Sequence, residues 1–200
     1  TVSLLGAAAL LLRDESWSGT VQLIFQPSEE NGAGARAMIA DGLLERFPME
    51  RVFGFHNWPG LEAGTVQVHR GPVMADPGRF EITLHGTAGH GAKPDLTRDP
   101  VVAAGHLIVA LQTIVSRNVE PIDSAVVSVG TIHGGTAPNQ IPDSATLSGT
   151  FRTYRLSVRE RVMDRIRQIS EGIAETFEMR AQVLLTAMGA TVAVDSPGWV

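Results

Sequence analysis

Two kinds of apolar pattern divide the chain. Up to residue 68 the hydrophobic positions come in short unbroken runs. From residue 80 onward they alternate with polar positions or recur every three or four residues. The first run, 2–12, stops at Arg13, well short of the roughly 20 apolar residues of a membrane span. No basic segment precedes it, so a signal peptide is disfavoured, and it reads as a buried helix that has lost its beginning. Residues 21–25, between Gly19 and Pro27, suit a strand covered on both faces. A helix over 33–40 closed by Gly42 follows. Strands are then predicted over 51–55 and 65–68, and helices interleaved with strands imply an α/β layer with a largely parallel sheet.

The period changes after a turn at Asp76-Pro77-Gly78. Phe80, Ile82 and Leu84 alternate with Glu81, Thr83 and His85, which gives a strand with one dry face. Asp99 is placed to cap a helix with Pro100 at its first position. Its predicted apolar face is Val101, Ala104, Ile108, Leu111 and Val115. Strands over 125–129 and 145–151 are joined by a connection containing Gly134, Gly135, Pro138 and Pro142. Ser157 and Glu160 have the spacing of a capping box ahead of a helix that buries Val162, Ile166, Ile169, Ile173 and Phe177. A strand over 181–185 closes the series. The order β-α-β-β-α-β over 79–187 is ferredoxin-like, two helices on one face of an antiparallel sheet. There is no internal repeat or low-complexity tract. The expected fold class is therefore α/β, with domains at 1–76 and 77–187 and a return segment at 188–200.

Composition narrows the function. With 44% hydrophobic and 18% charged residues over 200 positions, the chain is neither disordered nor membrane-like. A net charge of −5 argues against general nucleic-acid binding, which needs clustered cations. The absence of cysteine removes disulfides and thiolate ligands and is compatible with a cytosolic location.

Four places can carry chemistry. Glu29 and Glu30 follow a predicted strand and precede a helix, where one carboxylate can hold a cation and its neighbour move protons. The plainer reading is two acids complementing a helix dipole. His56 ends a predicted strand before Trp58-Pro59 and suits a metal ligand, although a single histidine near a core is more often a hydrogen-bonded structural residue. His90 stands between Gly89 and Gly91, where backbone can approach a substrate, or where a surface loop simply turns. Asn139 and Arg152 offer amide and guanidinium donors matched to a carboxylate, although a strand arginine is ordinarily only solvated.

Five motifs in order and register change the balance: Phe25-Gln26-Pro27-Ser28-Glu29-Glu30, Gly54-Phe55-His56-Asn57-Trp58-Pro59, Gly86-Thr87-Ala88-Gly89-His90-Gly91-Ala92-Lys93-Pro94, Ala137-Pro138-Asn139-Gln140-Ile141-Pro142 and Gly149-Thr150-Phe151-Arg152-Thr153. Together they resemble the zinc-type amidohydrolase and peptidase family of aminoacylase and carboxypeptidase G, nearest its hippurate hydrolase, N-acyl-L-amino-acid amidohydrolase and indole-acetyl-amino-acid hydrolase branch. The resemblance implies a partial metal-binding α/β domain with an inserted ferredoxin-like lid that also dimerises. It implies two divalent metal ions, zinc or manganese, with Glu30 and His56 as ligands and Glu29 as the general base. His90 is then the lid histidine given by a partner subunit to the oxyanion, and Asn139 and Arg152 hold the substrate carboxylate.

The resemblance also implies that ligands preceding Thr1 and following Val200 are missing, so the segment is expected to bind metal poorly and to be inactive alone. The expected partners are a small N-acyl amino acid and a second copy of the chain, with no nucleic acid and no membrane. A dipeptidase or carboxypeptidase of the same family, or a non-catalytic dimerisation module, are the competing expectations.

Overall fold

The computed structural model describes residues 1–29, 33–68, 71–187, 189 and 192–194. The chain divides into two compact units, Thr1–Thr65 and Val66–Val200.

The first unit is helical and thinly packed. Helices α1 (Val2–Leu11), α2 (Ala33–Ala40) and α3 (Leu43–Arg46) form, and α2 has the bounds its sequence predicts. Gly42 sits between α2 and α3 at φ +85°, the left-handed conformation that ends a helix without a Cβ penalty. Burial departs from expectation. Helix α1 is apolar on every side and buries no residue. The predicted strands 21–25, 51–55 and 65–68 enter no ladder among the described residues, so no parallel sheet forms there. The reason is cover: a strand dry on both faces needs neighbours beside, above and below it. Gly34 is the one buried residue among those described in this unit. Val52, Phe53 and Phe55 therefore remain exposed.

The second unit holds the core. Its elements are β1 (Gly71–Met74), β2 (Asp76–His85), β3 (Gly89–His90), α4 (Pro100–Leu111), α5 (Thr113–Asn118), β4 (Ala125–Gly134), β5 (Gln140–Ile141), β6 (Ser144–Thr153), α6 (Leu156–Thr176), β7 (Arg180–Ala187) and β8 (Val192–Val194). Strands β4-β6-β2-β7 form one antiparallel sheet, and β1 pairs with β8. This is the ferredoxin-like order read from the sequence, so the fold is mixed α/β with an antiparallel sheet. Alternation along β2 puts Phe80, Ile82 and Leu84 under the helices and leaves Glu81 and His85 exposed. Two glycines fit this face to its aromatics. Phe151 lies opposite Gly78 and Phe80 opposite Gly149 in the β2–β6 register, each ring over the missing side chain of its partner. Asp76-Pro77-Gly78, expected as a turn, is thus the start of β2.

The helices refine three further expectations. Asp99 does cap α4, its carboxylate accepting from Val101 N–H (2.9 Å) and Val102 N–H (3.3 Å). The buried stripe of α4 is Ala103, Ala104, Leu107 and Leu111, with Ile114 of α5, and Val101 faces outward. Nearly every residue of α4 is apolar, so spacing alone could not fix the face. The capping box does not form: α6 begins at Leu156, which puts Ser157 inside the helix, and Arg155 occupies the cap with no side-chain bond. Val162 and Ile166 are buried as predicted, and Ile169, Ile173 and Phe177 pack against the core. Where β2 begins, the buried Asp76 carboxylate pairs with Arg159 of α6, which also donates to Gly189 O at 3.2 Å. No helix among the described residues is long and apolar enough to cross a membrane.

Candidate active-site residues

In the first unit, the segment bearing the paired acids is pressed against α2. A Cβ on Gly34 would lie 1.6 Å from the Pro27 carbonyl oxygen, so only glycine permits this approach. Ser28 adopts φ 49°, an uncommon left-handed backbone for a residue with a side chain, and Glu29 follows it, exposed. Glu30 lies outside the described residues. His56 is exposed, with Nδ1 2.5 Å from Asn57 O and the Trp58 ring 6.0 Å away in an edge-on arrangement. A carbonyl only accepts, so Nδ1 donates and a neutral ring keeps its lone pair on Nε2, the arrangement a metal-ligating histidine uses. No hydrogen bond joins Glu29 to His56 among the described residues. Nor do those residues include any group of three or more His, Cys, Asp or Glu able to hold a metal ion. They do not by themselves compose a metal centre.

The second unit brings His90 and Asn139 together. Strand β3 pairs with β5, His90 opposite Gln140, and Gly91 N–H donates to Asn139 O at 2.9 Å. A side chain at Gly91 would stand 3.2 Å from that carbonyl. The loop is anchored at both ends. Gly86 N–H donates to Asp143 O (2.8 Å), and Thr87 and Arg98 exchange two backbone bonds of 3.0 and 3.1 Å. Arg98 also forms an ion pair with Glu178, the left-handed residue that ends α6. Within this frame Ala92 N–H donates to His90 Nδ1 at 3.0 Å. Nδ1 is therefore an acceptor, and the exposed imidazole carries its proton on Nε2 as a free donor. The tautomer is opposite to that of His56.

Arg152 is elsewhere. It lies on β6 opposite Pro77 and Val126, exposed, with Nη1 bonded to Phe151 O at 3.0 Å. The loop carrying His90 and Asn139 adjoins the His85–Ser144 end of the sheet. Eight residues of β6 at about 3.3 Å each separate Ser144 from Arg152, roughly 26 Å. One copy of the unit does not bring the guanidinium to the other two groups. Sequence reasoning missed Thr97, buried beside Gly89. The one signal was a hydroxyl residue closing the Pro94–Leu96 turn. A polar groove lined by Asn118, Ser157, Arg161, Asp164, Arg165 and Gln168 holds none of the predicted residues. Arg165 is already engaged there by Asn118 and Gln168.

An antiparallel sheet under two helices, with a glycine-flanked histidine on a loop at its end, defines a ferredoxin-like domain. Residues 78–178 match the peptidase dimerisation domain, and the chain belongs to the M20 peptidase family. It is 45% identical over 184 residues to an N-acetyl-L-cysteine deacetylase of Bacillus subtilis, covering 92% of this chain and 44% of that protein. It is 42% identical over 183 residues to a hippurate hydrolase of Campylobacter jejuni, covering 92% and 48%. Among solved structures it is similar to a Bacillus subtilis dinuclear metal binding peptidase from the M20 family, with TM-score 0.76, 38% identity and coverage of 96% and 48%. The chain spans about half the length of the curated relatives it matches.

Proposed function

We propose that this chain is part of a metal-dependent amidohydrolase that cleaves the amide bond of N-acyl amino acids, hippurate among them. The observation that carries the reading is the His90 ring. Its Nδ1 is occupied by Ala92 N–H, and Nε2–H bonds to no group among the described residues, on a loop whose Gly91 N–H holds Asn139 O; this suits a neutral donor to an oxyanion and does not suit a base. The named relatives above hydrolyse acyl–nitrogen bonds, which supports the reaction class.

In this reading residues 1–76 belong to the catalytic domain, 77–187 form the lid and 188–200 lead back. Glu29 takes a proton from the attacking water. Glu30 and His56 each give one ligand to a pair of divalent ions, zinc or manganese, which supply Lewis acidity when bound. His90 donates to the oxyanion, and Asn139 and Arg152 hold the substrate carboxylate. The separation of Arg152 from His90 favours a homodimer in which one copy's Arg152 and its partner's His90 and Asn139 face the same substrate. Exposed surface supports that pairing. Val102, Gly105 and Val109 form an outward stripe on α4. Beside it β4 is, among the described residues, a free edge with exposed Val126 and Ile132 and no charged residue from 125 to 134, so no like charge on it repels strand addition.

The test is kinetic, on the complete protein with hippurate and N-acetyl amino acids. His90→Ala is expected to lower kcat by about 10²–10³-fold, the usual cost of one oxyanion donor, and Glu29→Gln to abolish turnover while the dimer persists. Ordinary rates in Glu29→Gln would remove the base assignment; a complete protein that dimerises and hydrolyses none of these amides would leave the second reading, a dimerisation module without chemistry.

A further inference from the structure

Thr97 is the one buried residue in the loop 86–99 that carries His90, with 6% of its surface exposed. Its hydroxyl donates to Pro94 O at 2.8 Å, and its backbone N–H reaches the same carbonyl at 3.1 Å. Its methyl group fills the space beside Gly89: a Cβ built on Gly89 would lie 2.5 Å from Thr97 Cγ2, too close for two carbon atoms. One side chain thus fixes both flanks of the His90 turn. On the far flank, Lys93 N–H closes onto His90 O at 2.8 Å and Ala92 N–H onto His90 Nδ1 at 3.0 Å.

We propose that Thr97 is a positioning residue for His90: its methyl against Gly89 and its hydroxyl on Pro94 O hold the turn in which Ala92 N–H caps Nδ1 and leaves Nε2–H as donor. Both halves of the side chain are needed. Serine keeps the hydroxyl and loses the contact with Gly89; valine keeps a methyl there and loses the bond to Pro94 O. If the turn relaxes, the ring is released from Ala92 N–H and populates both neutral tautomers, one of which presents a lone pair where a donor is required. The proposal rests on the reading of His90 as the oxyanion donor, so its test separates the two.

Long-range proton–nitrogen NMR of the His90 ring in the 200-residue chain reports the tautomer directly. The unsubstituted chain is expected to show Nε2–H alone, and Thr97→Ser and Thr97→Val a mixture. In the complete enzyme the same substitutions are expected to lower kcat by up to about 10²-fold, the scale of a displaced catalytic group, with KM nearly unchanged, because the lost interaction belongs to the transition state. Gly89→Ala drives a methyl into Thr97 Cγ2 and is expected to be as damaging. Gly89→Ala combined with Thr97→Ser removes the collision, and kcat is expected to return at least to the Thr97→Ser level.

A ring protonated on Nδ1 in the unsubstituted chain overturns the proposal. So does a Thr97→Ser variant whose melting temperature falls while tautomer and kcat stay put, which is the behaviour of a merely structural threonine. A double variant no better than Gly89→Ala overturns the steric link. His90→Ala run alongside judges the donor role by itself: an unchanged kcat there removes the catalytic reading, while the tautomer still decides whether Thr97 positions the ring.

Discussion

Phe80 and Phe151 each lie over a glycine of the neighbouring strand, and that pairing shows what single residues decide here. A Cβ at Gly149 would stand 2.2 Å from Phe80 Cζ and 2.2 Å from Ser128 O. The ring could rotate aside; the carbonyl could not move without opening the β4–β6 ladder. Gly149→Ala is therefore expected to cost at least the upper end of the roughly 1–3 kcal/mol of overpacking, read as a lower urea midpoint. Gly130, at the irregularity between Val129 and Thr131, is the control: its added Cβ would meet only Ser148 O at 3.8 Å, and Gly130→Ala is expected to fall within about 0.5 kcal/mol of the parent. Equal losses at the two positions would show that contact, the stated cause, is not what matters. The site glycines were legible by spacing, since Gly89 and Gly91 bracket a histidine. Which ring nitrogen carries the proton was not, because that depends on an amide two residues on and on a methyl eight residues from Gly89. Asp76-Pro77-Gly78 misled for a related reason: its local chemistry favours a turn, and a distant phenylalanine overrides it.

At the scale of elements, legibility follows amphipathicity. Strand β2 alternates cleanly, and its dry face at Phe80, Ile82 and Leu84 is legible, as is the buried side of α6, whose charged and apolar faces are distinct; their first residues are not. Helix α4 is apolar nearly all round: the predicted Ala104 and Leu111 are buried and Ile108 and Val115 pack against the core, but Val101 faces out and Ala103 and Leu107 take the rest of the buried stripe. The runs 21–25 and 51–55 have strand composition, but a strand exists only as half of a ladder, and composition does not supply the other half. Helix α6 offers a direct test of where stability resides. Ile166 is fully buried, and Ile166→Ala is expected to cost about 2–5 kcal/mol. Six residues on, Gly172 is exposed with nothing within 4 Å of an added Cβ. Gly172→Ala should stabilise by about 0.5–1 kcal/mol, through helix propensity alone. Denaturant midpoints of the two variants should shift in opposite directions; a destabilising Gly172→Ala would mean that this face of α6 packs against something.

At the scale of the whole molecule, the residues proposed to hold one substrate lie at opposite ends of a sheet. Two copies resolve this separation if each site takes Arg152 from one subunit and His90 from the other, and that geometry makes a prediction no single-chain site shares. His90→Ala and Arg152→Ala are each expected to inactivate a homodimer of complete protein. When the two variants are co-expressed, half of the dimers formed at random are mixed. In a mixed dimer one site carries both defects, while the other combines the intact arginine of the His90→Ala chain with the intact histidine of its partner. Activity should recover to about a quarter of the unsubstituted level, the statistical expectation for a two-fold assembly. Placing a charge on the outward α4 stripe with Val109→Glu, whose side chain is 71% exposed, should leave the fold intact and shift sedimentation from dimer to monomer, because a carboxylate cannot be buried there without a partner. Adding Val109→Glu to both co-expressed chains should then erase the recovered activity. No recovery in stable mixed dimers would mean that His90 serves its own subunit, and the roughly 26 Å of β6 between Ser144 and Arg152 would then exclude the two from a common substrate.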